Sequence, residues 1–301
     1  MFSNLPRART VLRPRTHPRR PAPRAGPKAV TDPIRVRIHG DRGPVIFLLH
    51  GGPGAAGSVW DLAEELSDEF QVHEAIQRRS GARRLTVFRH VSDLRELVVA
   101  PAVMVGHSWG AMLGLSFAAR YPASLRGLVL IGCGTYDSRS REIYRARMQK
   151  NLGSAGRQRV EALSEEIGAC SSDPRRDRLF AKLGQMDSRA QAFDELRLRA
   201  GYRAILDFDS RGFEETWDDA VRLQRVGREP AAFRAISCPV LMLHGDDDPH
   251  PGGRIATTLR RYIPQLEYHS FPRCGHVPWR ERHARERFLL DLRTWIHGLW
   301  R

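Results

Sequence analysis

Short apolar runs and amphipathic segments alternate along the chain from residue 34 onward. The run at 101–108 is continuously apolar rather than alternating, which is typical of a parallel strand covered on both faces. The intervening segments carry apolar residues at helical spacing. We therefore predict an α/β fold with a mostly parallel sheet and helices on both of its faces. The predicted strands before residue 135 are 34–40, 44–52, 71–77, 101–108 and 125–134, and the predicted helices are 59–70, a stretch near 90–98, and 109–122.

This alternation stops for about a hundred residues after the fifth strand. Residues 135–234 are mostly charged and helix-forming, and two further strands follow at 238–245 and 266–271. The pattern predicts a helical insertion, forming a cap, within a sheet domain made of residues 32–134 and 235–301. A last amphipathic helix, roughly 281–300, is expected to pack on the sheet through Phe288, Leu289, Leu292, Trp295, Ile296 and Leu299.

The first 31 residues differ in composition from the rest of the chain. They hold seven arginines and Lys28 but no acid, which accounts for eight of the positive charges behind the net charge of +15, and they contain six of the 19 prolines. Proline removes backbone donors, so we predict a disordered basic tail here. With the excess charge concentrated there and only three lysines in the chain, we expect no nucleic-acid partner.

The four cysteines lie far apart, with no C-x-x-C pair. This spacing indicates neither a disulfide framework nor a zinc site, and a cytoplasmic location is the expectation. No apolar run approaches the length of a membrane span, and the tail lacks the apolar stretch of a secretory signal.

The pentapeptide Gly106-His107-Ser108-Trp109-Gly110 matches G-x-S-x-G at a predicted strand-to-helix turn. A turn this tight needs a glycine on each side, and it projects the serine hydroxyl above the sheet. Ser108 is thus the candidate nucleophile. The alternative is that Ser108 merely caps the helix that follows.

A serine nucleophile requires a base and an acid to orient that base, in the chain order Ser, Asp, His. Asp248 follows the strand at 238–245, and His276 follows the strand at 266–271, so both lie at the carboxyl ends of strands where ligand clefts form. We assign His276 as general base and Asp248 as its orienting partner. The alternatives are that Asp246 or Asp247 takes the place of Asp248, or that these loop residues are simply solvated.

The loop His50-Gly51-Gly52-Pro53-Gly54 is the candidate oxyanion hole. Backbone N–H groups aimed at a developing oxyanion stabilise acyl transfer, and glycines allow the backbone to approach the substrate closely. We assign the backbone N–H groups of Gly52 and Trp109 as the oxyanion donors, with Gly51 as the alternative to Gly52. Residues 52–57 also match G-x-G-x-x-G, the dinucleotide-binding pattern, but that assignment leaves Ser108, Asp248 and His276 unexplained.

With HGGPG, GHSWG, HGDDDP and CGHVPW in this order, the chain resembles the α/β-hydrolase superfamily, most closely its proline iminopeptidase-like group. The resemblance implies an α/β-hydrolase fold with a helical cap and a serine nucleophile. The chain departs from that group in two places. Residues 76–83 lack the glycine-rich turn usual after the corresponding strand, and the cap has Trp217 beside Asp218 but no W-E pair for binding a substrate amine, although it holds other acids such as Glu195, Asp207, Asp209, Glu214 and Glu215.

These observations predict a serine hydrolase that cleaves an ester, amide or N-terminal peptide bond through an acyl-enzyme. The expected partner is a small-molecule or short-peptide substrate, with no metal and no organic cofactor. The alternative, motivated by the altered turn at 77–83, is a non-catalytic ligand-binding protein of the same fold. The sequence does not determine the oligomeric state.

Overall fold

The computed structural model describes residues 34–196 and 208–301, so the predicted tail lies outside the described residues. Within the described residues, seven strands form one sheet in the order β1-β3-β2-β4-β5-β6-β7. Every neighbouring pair is parallel except β1 with β3. The predicted mostly parallel sheet is confirmed. The strands are β1 (Arg35–His39), β2 (Val45–Leu49), β3 (Gln71–Ile76), β4 (Ala102–His107), β5 (Leu125–Ile131), β6 (Val240–Gly245) and β7 (Leu266–Phe271).

The helices in the described residues are α1 (Trp60–Leu66), α2 (Val87–Leu97), α3 (Trp109–Arg120), α4 (Ser138–Ala169), α5 (Asp173–Gln191), α6 (Ser210–Arg225), α7 (Gly252–Arg260) and α8 (Arg285–Gly298). Helices α2, α3 and α7 cover one face of the sheet, and α1 and α8 cover the other. Successive side chains of a strand point to opposite faces. In β2, Phe47 and Leu49 join the apolar cluster formed with α2, α3 and α7, whereas Ile46 and Leu48 join the cluster formed with α1 and α8. Burial of each such side chain contributes about 1.5–3 kcal/mol, so both faces stabilise the sheet.

The first two strands are consecutive in the chain but not adjacent in the sheet. β3 lies between them, antiparallel to β1 and parallel to β2. The connection at 41–43 therefore carries the chain past the position of β3. Gly43 permits this with a φ of 78°, and a Cβ at this position would lie 1.9 Å from the Glu69 carbonyl oxygen.

Several predicted helix boundaries differ from the structure: α1 ends at Leu66 rather than at residue 70, and α2 and α8 begin elsewhere than predicted. α2 begins at Val87, ahead of the predicted stretch near 90–98, because the Thr86 hydroxyl accepts a hydrogen bond from the Arg89 N–H at 3.2 Å and caps the helix. α8 begins at Arg285 rather than near residue 281, because the Glu281 carboxylate instead accepts hydrogen bonds from the backbone N–H groups of Phe193, Asp194 and Gly275. The apolar side chains predicted to face the sheet from this helix all belong to, or pack against, one buried cluster.

Helices α4, α5 and α6 lie between β5 and β6 in the chain, and residues 197–207 of this segment lie outside the described residues. α4 is broken at Gly153, whose φ of 63° is not helical. Carboxylates at the start of α6 accept hydrogen bonds from the segment before α2: Asp209 from the Ser80 N–H and Glu215 from the Leu85 N–H. α6 is therefore attached to the sheet domain along the rim above β3. Among the described residues, no helix combines the length and apolarity needed to cross a bilayer.

Candidate active site

Ser108 occupies the turn between β4 and α3 with a φ of 53° and a ψ of −114°. The left-handed φ is rare for a residue with a side chain, and the close packing of the turn enforces it. A Cβ on Gly106 would lie 2.3 Å from the Gly110 carbonyl oxygen, and one on Gly110 would lie 2.3 Å from the Leu49 carbonyl oxygen. Within the described residues, the Ser108 hydroxyl makes no capping hydrogen bond to α3. The turn therefore holds this hydroxyl free for another role.

Asp248 and His276 meet beyond the carboxyl ends of β6 and β7. The His276 Nδ1 atom lies 2.7 Å from Asp248 Oδ2, in the arrangement in which Nδ1–H donates to the carboxylate. Asp248 is completely buried and His276 is 7% exposed. Burial alone would raise the pKa of Asp248, but the neighbouring His276, His250 and His244 hold it well below its ordinary value. Asp248 is thus a buried carboxylate that stays ionised beside an imidazole.

His107, the residue before Ser108, contacts His276 directly. Its Nε2–H donates to the His276 carbonyl oxygen at 3.1 Å, and the two ring centroids are 4.8 Å apart. Burial and the proximity of His276 lower the pKa of His107 well below its ordinary value, so His107 is neutral. The His276 N–H donates to the Gln191 carbonyl oxygen at 2.9 Å. The turn between β4 and α3 that carries Ser108, called the elbow below, and the last turn of α5 therefore both hold the backbone of His276.

Asp248 is shared among three imidazoles, which the sequence analysis did not foresee. His250 approaches the second carboxylate oxygen, with its Nδ1 2.9 Å and its backbone N 2.8 Å from Asp248 Oδ1. His244 Nε2 lies 3.1 Å from Asp248 Oδ2 and 3.0 Å from the His250 carbonyl oxygen. The available signal was the D-x-H spacing of residues 248–250, which places a second imidazole within reach of the same acid.

The long helix α4 reaches this cluster with two side chains. The Tyr144 ring stacks on His250 with centroids 4.2 Å apart, and the other neighbour of His250 is the His276 ring at 4.8 Å. The Arg147 guanidinium donates to the Asp248 carbonyl oxygen at 3.0 Å. Both residues were missed by the sequence analysis, because the pattern of a charged helix does not show which side chains point inward.

The loop after β2 is organised by Gln77. Its side-chain amide donates to the His50 carbonyl oxygen at 3.2 Å and accepts from the Trp109 indole N–H at 2.8 Å. His50 Nε2 accepts from the Gln77 N–H at 3.4 Å, and His50 Nδ1–H donates to the Gly51 carbonyl oxygen at 2.9 Å. Burial lowers the pKa of His50, which agrees with this neutral tautomer. Gln77 thus links the glycine loop to the helix that follows Ser108.

Gly51 and Gly52 lie in this loop close to the elbow. A Cβ on Gly51 would lie 3.3 Å from the Ser108 Cβ, and Gly52 has a φ of 45°. Gly54 packs against the insertion, because a Cβ there would lie 2.6 Å from the Asp209 carbonyl oxygen. The close backbone approach at Gly54 therefore serves contact with the chain itself, which weakens the dinucleotide-binding alternative.

The unusual segment at 77–83 is held by ion pairs and hydrogen bonds instead of by glycines. Arg78 makes a two-pronged pair with Asp93, at 2.9 and 2.7 Å. The Ser80 N–H and hydroxyl both donate to the Asp209 carboxylate, at 2.5 and 2.8 Å. The altered turn is thus an ordered connection to α2 and α6.

Most of the insertion acids considered for amine binding have partners. Asp209 and Glu215 accept from backbone N–H groups, Glu214 pairs with Arg176 at 2.6 Å, and Glu195 lies 3.8 Å from Arg280. Asp207 lies outside the described residues. Asp187 on α5 differs, because it is buried, its Oδ1 has no hydrogen-bond partner among the described residues, and burial raises its pKa to about 6.

Comparison with known proteins identifies the family. The model of the alpha/beta hydrolase family matches residues 46–288, which is most of the chain. A pimeloyl-[acyl-carrier protein] methyl ester esterase from Nitrosomonas europaea is 23% identical over 247 residues, covering 79% of this chain and 90% of that protein. A 2-hydroxymuconate semialdehyde hydrolase from Pseudomonas is 26% identical over 278 residues, covering 88% and 92%.

A proline iminopeptidase from Neisseria meningitidis is 36% identical, but only over 100 residues, covering 30% of this chain and 32% of that protein. Among solved structures, a thermophilic esterase from Thermogutta terrifontis matches with a TM-score of 0.57 at 23% identity, covering 88% of this chain and 93% of that one. An E-2-(acetamidomethylene)succinate hydrolase matches with a TM-score of 0.56 at 20% identity, covering 88% and 95%. At these identities the structural matches show the fold alone.

Proposed function

The chain belongs to the alpha/beta hydrolase family, and from that premise we propose that it is a serine hydrolase that cleaves carboxylic esters of small acids through an acyl-enzyme. One observation carries the proposal. The hydrogen bond of 2.7 Å between His276 and Asp248 lies at the edge of the sheet where the strained turn presents Ser108. A general base held by a buried carboxylate, at the same edge of the sheet as a constrained hydroxyl, favours nucleophilic acyl transfer.

In this proposal Ser108 attacks the ester carbonyl while His276 Nε2 takes the hydroxyl proton. Asp248 fixes the ring with its proton on Nδ1, so that Nε2 is the free base, and it stabilises the imidazolium that forms. The imidazolium then protonates the leaving alcohol as the tetrahedral intermediate collapses. Water, deprotonated by the same nitrogen, hydrolyses the acyl-serine and regenerates Ser108.

We assign the oxyanion hole to the backbone N–H groups of Trp109 and Gly52, with Gly51 as the alternative to Gly52. The N–H groups in the first turn of a helix have no acceptor inside that helix, and Trp109 opens α3. The glycine loop lies beside Ser108 and is tied to Trp109 through Gln77. Each such donor contributes about 2.7–4 kcal/mol to transition-state stabilisation.

The proposal favours an ester over an N-terminal peptide bond for two reasons. Relatives covered over most of their length include a methyl ester esterase, whereas the iminopeptidase match covers a third of that protein. In addition, Asp209, Glu214 and Glu215 are already occupied by arginines or backbone N–H groups. A substrate amine would have to displace those partners.

The domain assignment belongs to the same proposal. Residues 32–134 and 235–301 form the hydrolase core, and residues 135–234 form a cap that shapes the substrate pocket. Support comes from α4 and α5, which reach the cluster around Asp248 and His276 through Tyr144, Arg147 and Gln191. A cytoplasmic location stays a prediction of the sequence.

A fluorophosphonate probe and a panel of short-chain aryl esters test the proposal. We expect wild type to be labelled covalently and to hydrolyse esters, with both activities lost in Ser108→Ala and His276→Ala. Ser92→Ala is the matched control, because the Ser92 hydroxyl donates to a carbonyl of its own helix, and it should be labelled as wild type is. Folded wild type that neither labels nor hydrolyses any ester would favour the non-catalytic ligand-binding alternative.

A further inference from the structure

Two of the three imidazoles around the Asp248 carboxylate approach it through Nδ1, in nearly equivalent positions. His276 Nδ1 lies 2.7 Å from Oδ2, and His250 Nδ1 lies 2.9 Å from Oδ1. Ligand-capable atoms of these three side chains all lie within 4.8 Å of one another. The proposed mechanism uses one of the imidazoles and leaves His250 without a role.

We propose that Asp248, His250 and His276 form a binding site for a divalent transition metal such as Zn²⁺, and that metal bound there inhibits hydrolysis. Two histidines and one carboxylate on one side of an ion are an established ligand set for such metals. With metal–ligand bonds of about 2.1 Å, each nitrogen and its nearest oxygen subtend an angle somewhat below a right angle at the ion. Two ligands of one ion are at most about 4.2 Å apart at these bond lengths, whereas the three ligand atoms lie within 4.8 Å of one another, so the side chains must tilt together when the ion binds.

The side chains are already held in place for this role. The His250 backbone N–H donates to Asp248, and Tyr144 stacks on the outer face of the His250 ring. Arg147 opposes metal binding, because its guanidinium lies beside the Asp248 main chain. Its positive charge reduces the metal affinity below that of a closed structural zinc site.

The inhibitory effect follows from the position of one proton. A neutral imidazole that binds metal through Nδ1 must carry its proton on Nε2. In both His250 and His276 the proton moves from Nδ1 to Nε2, so binding releases no net proton from the neutral rings. His276 Nε2 is the atom that must accept the Ser108 proton, and in the metal complex it is already protonated. Metal therefore locks the general base in the wrong tautomer.

The binding test is calorimetric titration of chelator-treated full-length protein with Zn²⁺, carried out on the Ser108→Ala variant, which keeps all three ligands. We expect one site that takes Zn²⁺ and not Mg²⁺, because imidazole nitrogens favour the former. His250→Asn, in which an amide donates to Asp248 in place of Nδ1–H, and His250→Val should each bind Zn²⁺ at least about tenfold more weakly. Thermal melts establish that both variants are folded.

The matched control is His269→Asn. His269 Nδ1 also lies close to a carboxylate, 3.1 Å from Asp291, but has no second imidazole on that acid among the described residues. Its replacement should leave Zn²⁺ affinity unchanged. Absence of Zn²⁺ binding in a folded protein, or equal affinity in the His250 variants and the parent, overturns the site.

The inhibitory consequence rests on the proposed function, whereas binding does not. In wild type, Zn²⁺ should reduce ester hydrolysis and fluorophosphonate labelling, and a chelator should restore both. If Zn²⁺ binds through His250 but the protein shows no hydrolysis at all, the metal site stands and the proposed function fails. If hydrolysis proceeds undiminished with the site saturated, the inhibition is wrong.

Discussion

Residue 110 has no room for a side chain of any size. A Cβ on Gly110 would lie 2.3 Å from the Leu49 carbonyl oxygen and 2.7 Å from that of His50. Both are backbone atoms of the neighbouring β2 and its loop, so relief requires moving the elbow that presents Ser108. The geometry of this one turn therefore depends on direct contact between the first turn of α3 and the end of β2.

We expect Gly110→Ala to lower the free energy of unfolding by about 1–3 kcal/mol, the cost of overpacking a core. Urea denaturation measures this change. Gly168→Ala is the control, because Gly168 lies in α4 with nothing within 4 Å of an added Cβ. That variant should be about as stable as wild type or stabilised by about 0.4–1 kcal/mol. Equal stability of Gly110→Ala and wild type would contradict the packing argument.

Gln77 provides a second prediction at the scale of one residue. Its amide holds the His50 carbonyl and the Trp109 indole together, and the loop and helix that it joins carry the proposed oxyanion donors. We expect Gln77→Leu to reduce kcat for ester hydrolysis about 10–100-fold with a smaller change in KM, because the loss acts in the transition state.

Gln71→Leu is the matched control for this experiment. Gln71 lies at the other end of β3, and its side chain hydrogen-bonds only to His73 among the described residues, so its replacement should leave kcat unchanged. Steady-state kinetics on one aryl ester compare the two variants. An equal loss in both would show that Gln77 acts on stability rather than on the loop.

Motif reasoning singled out Ser108, Asp248 and His276 as candidates because each belongs to a short segment whose spacing has a chemical reason. It missed His250 and Gln77 for a physical reason. Their roles come from side-chain contacts across the edge of the sheet, and neither spacing nor hydropathy encodes which of two nearby polar groups faces a carboxylate. The segment 77–83 was identified as unusual, but only the structure shows that Asp93 and Asp209 hold it.

At the scale of elements, the continuous apolar runs of β4, β5 and β6 predicted strands accurately. A strand that is buried on both faces carries apolar side chains at nearly every position, and this composition is visible in the sequence. The order of strands was not predictable in the same way. β1 takes its place beside β3 through pairing at a distance along the chain, which periodicity does not record. Helix ends moved where a cap or a buried carboxylate, as at Thr86 and Glu281, competed with the pattern.

Glu229 links α3 to the segment that leads into β6, and its carboxyl is buried against Ser116. The Ser116 hydroxyl lies 2.7 Å from Glu229 Oε1 and 3.1 Å from the Met112 carbonyl oxygen, but it has one proton to donate. A protonated Glu229 donates to Ser116, which then donates to Met112, so the neutral acid satisfies every group. Burial raises the pKa of Glu229 from 4.5 to about 7.

The folded protein therefore binds more protons than the unfolded chain between pH 4.5 and about 7, and its stability falls as pH rises through that window. The loss attributable to Glu229 is about 3 kcal/mol by the upper end of the window. Glu229→Gln should remove this loss and raise Tm above that of wild type at pH 8, with little difference at pH 4.5. Differential scanning calorimetry from pH 4.5 to pH 8 measures the difference in Tm between the two proteins.

Glu161→Gln is the control for that experiment, since Glu161 is exposed on α4 and should leave the pH dependence as in wild type. A Glu229→Gln variant with the same slope of stability against pH as wild type would contradict the assignment of a raised pKa to Glu229.

At the scale of the whole molecule, the contacts within the chain divide it at Pro33, and residues 34–301 form one compact unit that contains the sheet and the candidate site. The tail and this unit also differ in charge, since the first 31 residues hold eight cations and no acid. Net charge governs nonspecific association rather than fold. The chemistry proposed above therefore depends on residues of the compact unit alone.

Removal of residues 1–31 should accordingly leave Tm and kcat/KM for ester hydrolysis within error of the full chain, while elution from a cation exchanger moves to lower salt. The same pair of proteins tests the expectation that the protein has no nucleic-acid partner, by titration with a short duplex at increasing salt. We expect any weak, salt-sensitive association of the full chain to disappear on truncation, because it would come from tail cations and not from a formed binding face. Binding that survives truncation would place a nucleic-acid surface on the compact unit, and a loss of hydrolysis on truncation would give the tail a part in the site.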